Sequence, residues 1–231
     1  MEKLNYKIIA CNTLRDEITY VMEKRNLEHS IEWIDSGLHN YPDKLNGYIQ
    51  EAVNNITNKD KILLLFGYCG RAIDGIYSDN ANIIFPKVDD CISLFLGGME
   101  RKKILENKAP AYYFTKGYLE NENNIWNEYQ YCIDKYGKER ALKLIKRMLK
   151  NYKFIRVIDT GAYAIDEVVI KTKKISKEFG LKHEIVKGSL NILKKALLKD
   201  WDDFFIEKEK GEKITLRDID IDYNMNTCIL K

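Results

Sequence analysis

The chain has 231 residues, with 38 Lys and Arg against 35 Asp and Glu, 45% hydrophobic and 11% aromatic content, and three prolines. That composition excludes disorder, collagen-like repeats and a disulfide scaffold, and a net charge of +3 with its signs interspersed offers no strong field to nucleic acid or an anionic membrane. A chain of this length hides roughly 70% of its unfolded surface, in one large domain or two small lobes.

Lys7 to Cys11 is a compact apolar run, and Leu14, Ile18, Val21 and Met22 then recur at helical spacing, which reads as strand then helix. Ser30 to Asp35 is a second strand. Pro42 opens the next helix, whose Leu45, Ile49 and Val53 share one face. Ile62 to Phe66 is unbroken apolar sequence, as expected of a strand covered on both faces. A short helix from Arg71 to Tyr77 and a fourth strand, Asn82 to Phe85, follow. Asp89 to Gly98 has an acidic first turn and terminal glycines, the marks of a short helix. Ala111 to Thr115 is a fifth strand, and Asn124 to Tyr152 reads as helix broken near Gly137. From Lys153 to Glu207 strand and helix alternate again.

Alternation of this kind implies an α/β fold: a three-layer, mostly parallel, doubly wound (Rossmann-like) sheet with helices on its faces. The uneven spacing and short chain fit a small barrel less well. With no Pro/Ser/Gly-rich linker to divide it, the expected organisation is an amino-terminal α/β lobe over 1–117 and a second lobe over 118–231, with one domain sharing a single sheet as the alternative.

The amino-terminal segment carries Glu2, Lys3 and Lys7 and no secretory apolar region, and no window approaches the ~18 apolar residues of a membrane span. Five cysteines at irregular spacing point to a reducing compartment. The expectation is a cytoplasmic protein without membrane or nucleic-acid partners. The basic run Lys171 to Lys177 is the wet face of a helix, with no interleaved aromatics to stack bases.

In parallel sheets, ligands bind beyond the carboxyl ends of the strands. Cys11 closes the first strand, His39 follows the second, Cys69 the third and Cys91 the fourth. These four are the candidate metal ligands. Thiolates so placed can bind zinc, hold an iron-sulfur cluster, or act as nucleophile or redox centre. A free cysteine is by default a small buried hydrophobe, and there is no CxxC pair to mark a metal site by spacing alone. Cys132, within a helix, and Cys228, near the end of the chain, take that ordinary reading.

Around the ligands, Gly67 and Gly70 permit a tight turn and close backbone approach. Arg71 and Lys87 are cations able to lower a thiol pKa or hold an anionic substrate. Asp90 is either a helix cap or a site carboxylate beside Cys91, and Asp89 fits a first-turn helix charge. No Walker A run or GxGxxG fingerprint supports ATP or NAD.

With those residues in view, the sequence resembles, over almost its full length, a domain-of-unknown-function family of anaerobic archaea and bacteria. The resemblance is carried by ACNTLRDEI, GLH, GYCG, PKVDDCISLFLGG, YYFTKGYLE, FIRVIDTGAY, HEIVKGSLNILKKAL and WDDFFIEKEKGEKIT. It implies the same pattern of Cys11, Cys69, Cys91 and His39; Lys87 is a departure where many members carry arginine, a loss of the planar guanidinium fork. It also implies a setting beside corrinoid-dependent methyltransferases, with a corrinoid or methyltransferase partner, although there is no DxHxxG run for cobalamin. Three cysteines from three strand ends are similar in arrangement to quinolinate synthase and diphthamide synthase, where three thiolates hold a four-iron cluster; that likeness transfers no substrate. Two readings stay open: a metal or cluster enzyme in anaerobic one-carbon metabolism, and a non-catalytic accessory or chaperone protein with structural zinc or merely buried cysteines.

Overall fold

The computed structural model describes residues 5–120 and 123–219. Cys228 lies outside them. The fold is α/β, with mainly parallel strands. Strands β1 (Tyr6–Cys11), β2 (Ile31–Ile34), β3 (Lys61–Leu65), β4 (Asn82–Pro86) and β8 (Phe205–Lys208) form one sheet in the order β2-β1-β3-β4-β8. The first four are mutually parallel and β8 closes the edge antiparallel to β4. Strands β5 (Ala111–Phe114), β6 (Phe154–Asp159) and β7 (Lys182–Lys187) form a second, wholly parallel sheet.

Beyond their first residues the central strands are apolar because both faces are covered: Ile8, Ile9 and Ala10 of β1 and Ile62 to Leu65 of β3 are buried. A 3-10 turn, Asn12–Leu14, leads from β1 into α1 (Arg15–Arg25), which ends on a left-handed Asn26. Helix α2 (Pro42–Asn54) starts on its proline and buries Leu45, Ile49, Ala52 and Val53. Gly137 ends α6 (Ile125–Tyr136) at a φ of 78° and starts α7 (Lys138–Met148), so the expected break falls there. After β6, α8 (Asp166–Phe179) and α9 (Asn191–Leu198) complete the alternation.

One expectation is corrected. Arg71 to Tyr77 is not a helix, because Cys69, Gly70, Arg71 and Gly75 all take positive φ and the right-handed helical path is interrupted at each. Only a 3-10 turn, Cys69–Arg71, remains. The strands do not sort between the sheets by sequence order: β5 pairs with β6 of the second sheet, and β8 returns to β4 of the first. Strand pairing outweighs chain proximity, and the two sheets are separate rather than shared. Ala111, Tyr113, Ile158 and Val186 nonetheless pack into the core of the first sheet. A smaller core around Phe114, Tyr129, Ile145 and Phe179 lies under α6, α7 and α8.

The segments following β1, β5 and β6 meet. A Cβ on Gly117, just after β5, would lie 2.5 Å from the carbonyl oxygen of Thr13, and Thr160, just after β6, hydrogen-bonds Glu17 of α1. Carboxyl ends of both sheets therefore border one region. Among the described residues no helix is long and apolar enough to cross a membrane.

Candidate functional site

The first sheet gathers the three strand-end cysteines. Cys11, the last residue of β1, is buried, and its Sγ lies 3.0 Å from Thr13 Oγ1 and 3.2 Å from His39 Nε2. His39 is supplied by a 3-10 turn, Ser36–Asn40, whose entry is fixed by the Asp35 carboxylate accepting the Gly37 N–H at 2.8 Å. Cys69 Sγ lies 3.9 Å from Cys91 Sγ, and Cys91 also hydrogen-bonds Cys11. One contact chain thus runs from Cys69 through Cys91 and Cys11 to His39.

Cys91 is the first residue of a short helix, α3 (Cys91–Leu96), and Cys69 opens the turn after β3. Two backbone bonds hold those segments together: Tyr68 N–H donates to Val88 O at 3.1 Å and Cys69 N–H to Asp89 O at 2.8 Å. Gly67 permits the approach. A Cβ there would stand 2.3 Å from Asp90 Cα, inside any tolerable contact, so its close neighbour is the chain's own backbone. Gly67→Ala is expected to destabilise the protein by about 3 kcal/mol, measured by urea unfolding; a loss under about 1 kcal/mol would show that the two segments can part. Gly70 serves the same turn through its left-handed φ of 64°.

Hydrogen bonds with Cys11 and Cys69 push the Cys91 thiol well below the usual range, helped by the His39 imidazole and the Gly67 N–H. Cys11 and Cys69 are pushed well up, by the bond to Cys91 and then by burial. A dry site tolerates one thiolate far better than three. A bound cation reverses that preference, because it stabilises each deprotonated sulfur directly.

Arg71 does not face this cluster. Its guanidinium pairs with Asp74 at 2.9 Å and its side chain is 76% exposed, because the positive φ at positions 69 to 71 turns it outward. Lys87 ties the end of β4 to the segment before β8, its N–H donating to Phe204 O at 2.8 Å. The cation at the acidic pair is instead Lys102 of α4 (Met99–Lys108), 2.6 Å from Asp89 and 2.5 Å from Asp90. Against the pull of burial, the Asp90 and Asp89 carboxylates hold Lys102 above its ordinary value. Asp90 caps α3, accepting the Ser93 N–H at 2.9 Å, and Asp89 takes the Ser93 hydroxyl. Both carboxylates are therefore engaged.

Three participants escaped the sequence reading. Thr13 has a local signal, two residues after Cys11. Lys102 has none, since its partners lie across the Gly97–Gly98 break. Tyr118, from the second sheet's side, stands near the thiols: burial and then the charges of Tyr112, Cys91 and Cys69 push its phenol well up.

Among the described residues no group of three or more His, Cys, Asp or Glu side chains is placed so that it could hold a metal ion. A tetrahedral zinc with bonds of about 2.3 Å to sulfur and about 2.0 Å to nitrogen has edges of about 3.8 Å and about 3.5 Å, against 3.9 Å for Cys69–Cys91 and 3.2 Å for Cys11–His39.

The model of the family DUF1638, a protein of unknown function, matches residues 33–197. The match covers 165 of the 231 residues, and the chain belongs to that family. The matched span includes His39, Cys69 and Cys91. No curated protein and no solved structure matches the chain.

Proposed function

We propose that this member of the DUF1638 family binds a single metal ion, zinc by its donor chemistry, on Cys11, Cys69, Cys91 and His39. The observation that carries this reading is the pairwise approach of three thiols and one imidazole at the ends of β1, β3 and β4, at 3.9 Å and 3.2 Å for the two outer pairs. Those separations suit donors converging on one atom. They suit a four-iron cluster poorly, because there each thiolate binds a different iron and the sulfurs stand several ångströms farther apart. Three sulfurs and one imidazole make a closed tetrahedral set, the arrangement of structural zinc. Thr13, on the Cys11 sulfur, fixes ligand orientation in the way outer-shell groups do.

Binding would displace protons from Cys11 and Cys69, so affinity should rise with pH. The Cys11–Cys69–Cys91 set would join β1, β3 and β4 at their open ends, and metal binding would add directly to folding stability. The cytoplasm is the compartment that suits such a site, since Cys11, Cys69, Cys91 and Cys132 are all free thiols.

Metal analysis tests the proposal. Protein prepared without oxygen and equilibrated with zinc should retain one ion per chain through gel filtration, and cobalt substituted for it should give the intense visible bands of a tetrahedral thiolate site. About four irons with matching sulfide per chain would replace this reading with a cluster. Neither metal near stoichiometry would leave the cysteines as buried hydrophobes. Position 39 separates structural from catalytic use. His39→Ala should retain zinc with reduced affinity and an open position for water; unchanged affinity would remove His39 from the ligand set.

A further inference from the structure

Among the described residues Cys11, Cys91 and Cys132 are buried, whereas Cys69 is half-buried as a residue. Its sulfur is 3.9 Å from Cys91, about 1.9 Å longer than a disulfide bond. The backbone bonds from Tyr68 and Cys69 to Val88 and Asp89 keep the two segments side by side. The residues that must adjust belong to the 3-10 turn at Cys69–Arg71, outside any sheet ladder. Cys11 is held by Thr13 and His39, and Cys91 is the thiol in contact with Cys69.

We propose that Cys69 and Cys91 are a redox modification site, in which hydrogen peroxide oxidises one of the two thiols and the other resolves the product to an intramolecular disulfide. In the first step one of the two thiolates attacks a peroxide oxygen; the S–O bond forms, the O–O bond breaks and hydroxide leaves, giving a sulfenic acid. In the second, the other thiolate attacks that sulfur; the S–S bond forms and a second hydroxide leaves. Two thiols lose two electrons, and two protons convert the hydroxides to water. The disulfide removes two sulfurs from the donor set, leaving Cys11 and His39, too few to close a tetrahedral site. Metal release is the part of the inference that rests on the function proposed above; the disulfide does not.

The test uses the full chain, reduced, stripped of metal with a chelator, and treated with equimolar hydrogen peroxide. Alkylation under denaturing conditions should label three of the five cysteines, the intact mass should fall by about 2 Da for the lost hydrogens, and peptide mapping should join Cys69 to Cys91. Of Cys69→Ser and Cys91→Ser, the variant that keeps the attacking thiol should accumulate its sulfenic acid, trapped by a cyclic 1,3-diketone. The wild-type map decides the matter even where that variant folds poorly. Five alkylated thiols after treatment, or a bridge between any other pair, would overturn the proposal. Run in parallel on zinc-equilibrated protein with a chromophoric chelator, the same oxidation should free one zinc per disulfide formed. A Cys69–Cys91 bridge in a protein that never retains zinc would uphold the redox pair and refute the metal reading; retained zinc without a bridge would do the reverse.

Discussion

Cys91→Ser is expected to weaken zinc binding by a factor of more than about a hundred, the largest single effect at this site. Structural zinc is bound with about 12 kcal/mol near neutral pH, so an even share among four donors is about 3 kcal/mol each, or somewhat over a hundredfold. Cys91 should exceed that share. It contacts both other cysteines, and a serine hydroxyl does not ionise near pH 7 and is a harder donor. Cys11→Ser and Cys69→Ser should each reach about a hundredfold. Cys132→Ser is the control, because Cys132 lies in the second core, its thiol 3.7 Å from Glu128. Competition titration against a chelator of known affinity measures all four. Parent-like affinity in any one of the three site variants would take that residue out of the ligand set, and parent-like affinity in all three would end the metal proposal.

The elements that place this site were legible because their signals are local. Ile62 to Leu65 could only be a strand covered on both faces, and the first four strand ends follow from four such runs separated by helical stretches, which is why Cys11, His39, Cys69 and Cys91 could be assigned to one sheet edge. What escaped depends on contacts distant in sequence. Nothing near Ala111–Phe114 says that its partner is Phe154–Val157, more than 40 residues on, rather than β4. Nothing near Phe205–Lys208 says that it returns antiparallel to β4. Helix α4 was not anticipated because Met99–Lys108 buries no residue fully and shows no apolar stripe. Lys102 went unnoticed with it, and Arg71 and Lys87, nearer the thiols in sequence, took its place in the reading. The expected Arg71–Tyr77 helix failed for a different reason: Cys69 and Arg71 accept the left-handed backbone that glycine normally supplies, a conformation their residue types do not advertise. That strain falls at the candidate site, where such departures from local preference are concentrated.

A second large effect is expected at Glu17, where the second sheet borders the same region. This carboxyl is fully buried in the first turn of α1; one oxygen accepts the Thr160 hydroxyl at 3.0 Å, and the other has no hydrogen-bond partner among the described residues. Burial pushes its pKa from 4.5 up to about 7, only partly offset by the hydrogen bonds it accepts. Because the folded value lies above the unfolded one, the folded state holds the extra proton between pH 4.5 and pH 7. The stability associated with that proton is fully present below pH 4.5 and is lost as pH rises through 7. At about 1.4 kcal/mol per pH unit the loss comes to about 3 kcal/mol above pH 7. Glu17→Gln keeps the shape and a hydrogen-bonding oxygen for Thr160 but cannot ionise. The variant should match the parent within about 1 kcal/mol at pH 4.5 and exceed it by about 1–3 kcal/mol at pH 8. Urea unfolding of both proteins at the two pH values measures the difference, in which every other titrating group cancels. Parallel pH dependence in parent and variant would mean that Glu17 is ionised in the folded protein at little cost, and that its second oxygen has found a partner.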